Sequence, residues 1–107
     1  MRLGFHPDAV AELRAAAFWY DERRAGLGDE FIDDVKRLGR QIADSPATFA
    51  TWAGLSGSHP AIRRALLDRF PYAVAFEIRE HEIFILAVAH AKRRPLYWAR
   101  RAGQGRA

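Results

Sequence analysis

The sequence predicts an α+β domain in the order β-α-α-β-β-β, with a helical hairpin packed against an antiparallel sheet. Three observations carry this. Between Pro7 and Ser45, two stretches repeat apolar residues at helical spacing, separated only by a turn that glycines bracket. From Ile62 to His90 the pattern changes to alternation and short apolar runs, which suit strands. A short alternating segment, Arg2 to His6, precedes both.

Taken in order, Leu3 and Phe5 share one side of the first strand. Pro7 suits the first turn of a helix, where its missing N–H is no loss. Val10, Leu13, Ala17 and Tyr20 then mark a buried stripe, which Ala9, Ala16 and Phe18 broaden. Arg23 and Arg24 fall in the last turn, where cations favour the helix dipole, before Gly26 and Gly28 break the chain. The second helix carries Phe31, Val35, Leu38 and Ile42 on one face, with Ile32 beside them. Its acids (Asp29, Glu30, Asp33, Asp34) come first and its bases (Lys36, Arg37, Arg40) later, the order the dipole prefers. Ser45-Pro46 stops it. The short turn makes the two helices an antiparallel pair.

Residues 46–60, PATFATWAGLSGSHP, form the longest irregular stretch. A loop of this length is either a functional lid or a segment pinned by its own side chains. Phe49, Trp52 and Leu55 make pinning the expectation. A strand over 62–70 leads through Pro71 into a second over 72–80. There Tyr72, Val74, Phe76 and Ile78 share one face, and Ala73, Ala75, Glu77 and Arg79 the other. Glu80-His81 turns the chain into a strand over 82–90. It is apolar on both faces and so belongs in the middle of the sheet. By its alternation His90 would share a face with Phe84, Leu86 and Val88. No repeat or low-complexity tract interrupts the chain, which is expected to be one domain, 1–107, with a basic tail from about residue 99.

Composition narrows the function classes. Half of the 107 residues are hydrophobic and 12% aromatic, enough for a real core. The absence of cysteine removes disulfides and thiolate chemistry and fits a reducing compartment. Pro7 and Asp8 stand where a signal peptide would be apolar, and the longest apolar run, Ile83 to Ala89, is far short of the ~18 residues of a membrane span. The expectation is a soluble, cytoplasmic protein that does not engage membranes. The net charge of +4 is unevenly spread. Lys92, Arg93, Arg94, Arg100, Arg101 and Arg106 lie beyond residue 90 with no acid among them, while the first 90 residues carry 11 bases against 13 acids. Such a tail either meets a polyanion or an acidic protein surface, or is simply solvated.

Several stretches together resemble a known family. They are PDAVAELRAAAFWYDE on the first helix, GLGDEF opening the second, the Arg-Arg of IRRALLDRF, the Arg-Phe-Pro-Tyr turn, and ILAVAHAKRRPLYW at the end. In this order and spacing, over roughly residues 3–98, they look like the RelE/ParE superfamily of toxins from bacterial type II toxin–antitoxin systems, closer to the ParE branch. The resemblance implies the β-α-α-β-β-β fold and a cognate antitoxin whose amphipathic C-terminal segment wraps the toxin in a hetero-oligomer. It also implies a role in plasmid stabilisation and growth inhibition. ParE-like members inhibit DNA gyrase without established catalysis; RelE-like members cleave mRNA on the ribosome without a metal. A degenerate member that only binds its antitoxin is a third alternative.

A metal-free ribonuclease needs a base for the 2′-OH, a cation for the crowded phosphate and an acid for the leaving oxygen. His90 is a candidate acid or base, since imidazole titrates near neutrality. Arg63, Arg64, Arg93 and Arg94 are candidate phosphate clamps, and Tyr97 or Trp98 a stacking platform. Each has a plainer reading: a half-buried histidine, an arginine paired to a helix acid, aromatics that cap the core. Arg63 and Arg64 point to opposite faces of a regular strand, so one at most serves any single site. The nuclease pattern is also incomplete. Only Lys36 and Lys92 are lysines, His90 is followed by Ala91 rather than tyrosine, and residues 45–61 hold no acid. As a non-catalytic binder, the chain would present His90, Lys92, Arg93, Arg94, Tyr97 and Trp98 to its partners. His6, His59, His81 and His90 lack paired metal-ligand spacing, and no cofactor motif is present, so no metal or cofactor is expected.

Overall fold

The structure is a computed structural model that describes residues 1–55 and 61–104. The end of the long loop, with His59, and the last residues, with Arg106, lie outside the described residues. Strand β1 (Arg2–Phe5) runs through His6 into helix α1 (Pro7–Arg23). His6 caps that helix: its Nδ1 accepts the Asp8 N–H at 3.0 Å, satisfying one of the donors a helix start leaves free. Gly26, at φ 91°, takes the left-handed turn into α2 (Leu27–Asp44). Where the helices meet, a Cβ on Gly28 would lie 2.4 Å from the Ala17 carbonyl oxygen, so glycine sets how closely they approach.

Helix α2 buries Phe31, Val35, Leu38 and Ile42, as its spacing predicts. Helix α1 departs from expectation. It buries Ala9, Ala16 and Ala17, but Phe18 is 68% exposed and Trp19 51%. The face turned to the sheet is carried by alanines, so the buried stripe is narrow and Phe18 falls outside it.

Strands β2 (Ile62–Leu66), β3 (Tyr72–Ile78) and β4 (Glu82–His90) pair antiparallel. Strand β1 adds parallel to β4, giving a mixed sheet in the order β1-β4-β3-β2 with β4 in the interior. Strand β2 is shorter than predicted. After Leu66 the chain turns, the Leu67 N–H donating to the Tyr72 carbonyl.

A bulge changes the alternation of β4. Ala75 pairs with Ala87 but Phe76 pairs with Ile85, which leaves Leu86 as an extra residue. Ile83, Ile85 and Val88 therefore face the helices, whereas Phe84, Leu86, Ala87 and Ala89 face away. His90 follows Val88, not Phe84 and Leu86 as strict alternation predicts.

The face away from the helices is covered too. Trp98, 1% exposed, meets Trp52 with ring centroids 4.7 Å apart, and Leu55, Leu96, Tyr97 and Ala102 pack around them. The Trp52 N–H donates to the Ile62 carbonyl and the Arg64 N–H to the Ala50 carbonyl, tying the loop to the edge of β2. With Phe49 on the helix side, this is the pinned loop the sequence predicts. The cover buries Glu77 completely, with Arg79 bonded to its Oε1 at 2.8 and 2.5 Å and stacked 3.9 Å over Phe84. No helix of the described residues is long and apolar enough to cross a membrane.

Candidate partner-binding surface

Strand β4 ends in a tight, well-bonded turn. The Ala91 N–H donates to the Pro71 carbonyl at 2.8 Å, and the Arg93 N–H returns to the His90 carbonyl at 3.0 Å. His90 Nδ1 accepts the Lys92 N–H at 3.0 Å, which leaves the ring proton on Nε2, and the ring stands edge-on to Tyr72 with centroids 5.0 Å apart. Three cations project from this turn into solvent: Lys92, Arg93 and Arg94. The ion pairs of the described residues engage Arg24, Arg37, Arg69, Arg79 and Arg101, but none of these three. Arg93 rests 4.0 Å above the Tyr97 ring, a cation–π contact that orients the guanidinium without neutralising it. Leu96 closes the turn at φ 60°, a left-handed conformation that a branched side chain adopts only at a cost in strain.

Behind the turn lies a node that sequence reasoning missed. Glu12 on α1 accepts from the Tyr97 hydroxyl at 2.6 Å, from Arg101 at 3.0 and 3.1 Å, and from the Val88 N–H at 3.0 Å. Arg101 also donates to the Leu86 carbonyl at 3.1 Å. Strand β1 ends at Phe5, opposite Ile85, so beyond that point β4 lacks a neighbouring strand on this side. Glu12 and Arg101 supply the missing acceptor and donor. Two consequences follow for the predicted residues. Arg101, counted with the free basic tail, is internally neutralised. The Tyr97 hydroxyl is pushed well above the usual phenol range, first by burial and then by Glu12, so it stays protonated at neutral pH.

The remaining candidates separate. Trp98, proposed as a contact residue, is buried and anchors the C-terminal cover instead. Arg63 donates to the Phe49 carbonyl at 2.7 Å, holding the loop rather than pairing with a helix acid. Arg64 lies on the opposite face, its guanidinium 5.8 Å from the Trp52 ring. It lines a depression of about 250 Å³ with Trp52, His90, Arg93, Arg94 and Tyr97. This gathers all the nuclease candidates except Arg63, with no carboxylate among the described lining residues. On the other side of the turn a groove of about 570 Å³ runs between α1 and the ends of β3 and β4, and His90 and Arg93 line both. Among the described residues, no three His, Cys, Asp or Glu side chains gather as a metal set would.

No protein-family model and no curated protein matches the chain. A solved structure of the chromosomal ParDE TA system from P. aeruginosa does. It matches with a TM-score of 0.61 at 21% identity, covering 86% of this chain and 97% of that one. The chain has the fold of the ParE/RelE-type toxins. At this identity the likeness is one of architecture.

Proposed function

We propose that the chain is the toxin of a type II toxin–antitoxin system, held silent by a cognate antitoxin, and that it acts as a ParE-like inhibitor of DNA gyrase. The observation that carries this reading is the unpaired cationic turn, His90 to Arg94, displayed on a fold that a ParDE chain shares. Exposed like charges that no internal carboxylate offsets are costly to gather unless an acidic partner meets them, and they speed the encounter with one. Acidic protein side chains or DNA held by gyrase supply such a partner. Tyr97 and the Glu12–Arg101 pair hold the turn from behind.

A second reading, a RelE-like ribosome-dependent ribonuclease, has one observation in its favour: His90, Arg64, Arg94 and Trp52 line a single depression. It lacks a carboxylate base there, and the Tyr97 hydroxyl is already committed as a donor to Glu12 at 2.6 Å. A supercoiling assay with purified gyrase, run beside an in vitro translation assay, separates the two. The proposal expects supercoiling to stop while messages stay whole. Cut messages with normal supercoiling would replace it with the second reading.

A further inference from the structure

Helix α1 turns two aromatic side chains away from the core. Its buried positions are the alanines Ala9, Ala16 and Ala17, while Phe18 is 68% exposed and Trp19 51%. The other exposed large hydrophobics among the described residues are Met1 and Leu66, so two of the four stand side by side on one helix. Trp19 has company within its own chain, with Arg23 3.5 Å over its ring and Tyr20 edge-on at 5.2 Å. Phe18 meets no ring or cation among the described residues. Apolar surface left open in this way on a small domain marks a contact face.

The charges around Phe18 select the partner. Arg14 stands one turn before it and Glu22 one turn after, each about 6 Å away along the axis, and both are exposed. Neither joins an ion pair among the described residues. Eight positions apart on one helix, they are too distant to pair with each other. Turned end for end, the same helix presents Glu22 where Arg14 stood and Arg14 where Glu22 stood, with Phe18 unmoved at the centre.

We infer that this face of α1 is the contact of a two-fold dimer of the chain, in which two copies of α1 pack antiparallel and cross at Phe18. Arg14 then meets the partner's Glu22, and Glu22 meets the partner's Arg14. Ala11 and Ala15, exposed on the same side, let the two axes approach closely. A surface that complements itself on reversal is what a two-fold axis requires. A single pair of helices covers less area than a permanent interface, so the dimer forms and parts with concentration. The inference stands on α1 alone and does not depend on the proposed function.

Sedimentation velocity on the full chain, from about 1 µM to about 1 mM, tests it. The expected result is a monomer–dimer equilibrium that Phe18→Glu weakens about ten-fold or more. Arg14→Glu and Glu22→Arg should each weaken it about five-fold, because either puts two like-charge contacts in place of two attractive ones. All three positions are exposed, and thermal melts should show the variants folded. Arg14→Glu and Glu22→Arg combined in one chain should restore the contact to within about two-fold of wild type. Mixing the two single variants should give heterodimers in preference to either homodimer. A chain still monomeric at about 1 mM, a dimer indifferent to Phe18→Glu, or a double variant as weak as the singles would each overturn the inference.

Discussion

The Tyr97 hydroxyl and the Glu12 carboxylate lie 2.6 Å apart, joining the first helix to the end of the chain across 85 positions of sequence. Glu12 is the hub: without it the Tyr97 hydroxyl and the Val88 N–H lose their partner, and Arg101 keeps only the Leu86 carbonyl and Asp8 at 3.8 Å. Glu12→Ala should therefore cost about 3 kcal/mol of stability, because it takes the nearest carboxylate from a largely buried guanidinium. Tyr97→Phe removes one bond and leaves Glu12 with Arg101, so it should cost about 1 kcal/mol. Urea denaturation of both variants checks the order. Equal losses would mean that the carboxylate is not the hub.

Gly28 makes a sharper prediction about the helical hairpin. A methyl there meets the Ala17 carbonyl oxygen at 2.4 Å and the Asp21 carboxylate at 2.8 Å. Backbone cannot swing away as a side chain can, so the helices must part. Gly28→Ala should lower stability by about 2 kcal/mol, even though alanine is the better helix former. A thermal melt that shows stabilisation would contradict the close packing.

Periodicity made the helices and the central strand legible, because Phe31, Val35, Leu38 and Ile42 are large and regularly spaced. Three features were hidden for physical reasons. The bulge at Leu86 reverses the alternation of β4, and nothing in an all-apolar run marks where an extra residue sits. Alternation puts Glu77 and Arg79 on one face but does not show that they neutralise each other there, nor that the cover over them comes from the chain's far end. Nothing in the spacing of α1 singles out Glu12. The one available clue was an unpaired strand end, which is visible only once β1 is known to stop at Phe5. At the site, the exposed charges of the Lys92–Arg94 run were readable, whereas the separate duties of Trp98, Arg63 and Arg101 depended on tertiary packing.

Glu30 sets an acid dependence. Side-chain hydrogen bonds from Arg24 at 3.1 Å and Arg69 at 2.7 Å hold its carboxyl down at about 2, against an ordinary 4.5. A carboxyl depressed on folding adds stability that is fully present above the unfolded value and is lost as pH falls through the folded one. The window is therefore from about 4.5 down to about 2. Urea midpoints of the wild type should fall more steeply across it than those of Glu30→Gln, and added salt should flatten the difference, since the cluster is open to solvent. Parallel curves at low salt would rule the linkage out.

Arg94 and Trp98, four positions apart, should behave as opposites. Arg94 is exposed and forms no ion pair among the described residues, whereas Trp98 is 1% exposed and meets the Trp52 ring edge-on. Arg94→Glu should change stability by less than about 0.5 kcal/mol, the usual range for a surface substitution away from special contacts. Trp98→Ala should cost about 3–5 kcal/mol, because it empties the middle of the C-terminal cover and lets the Trp52 loop loosen. On the proposed function, growth arrest by Arg94→Glu should fail in a folded protein. Arrest by Trp98→Ala should fail only in step with unfolding, and so should return on cooling. Paired melts and growth assays at two temperatures measure this. If Arg94→Glu stayed fully toxic, the cationic turn would not be the surface that meets the target.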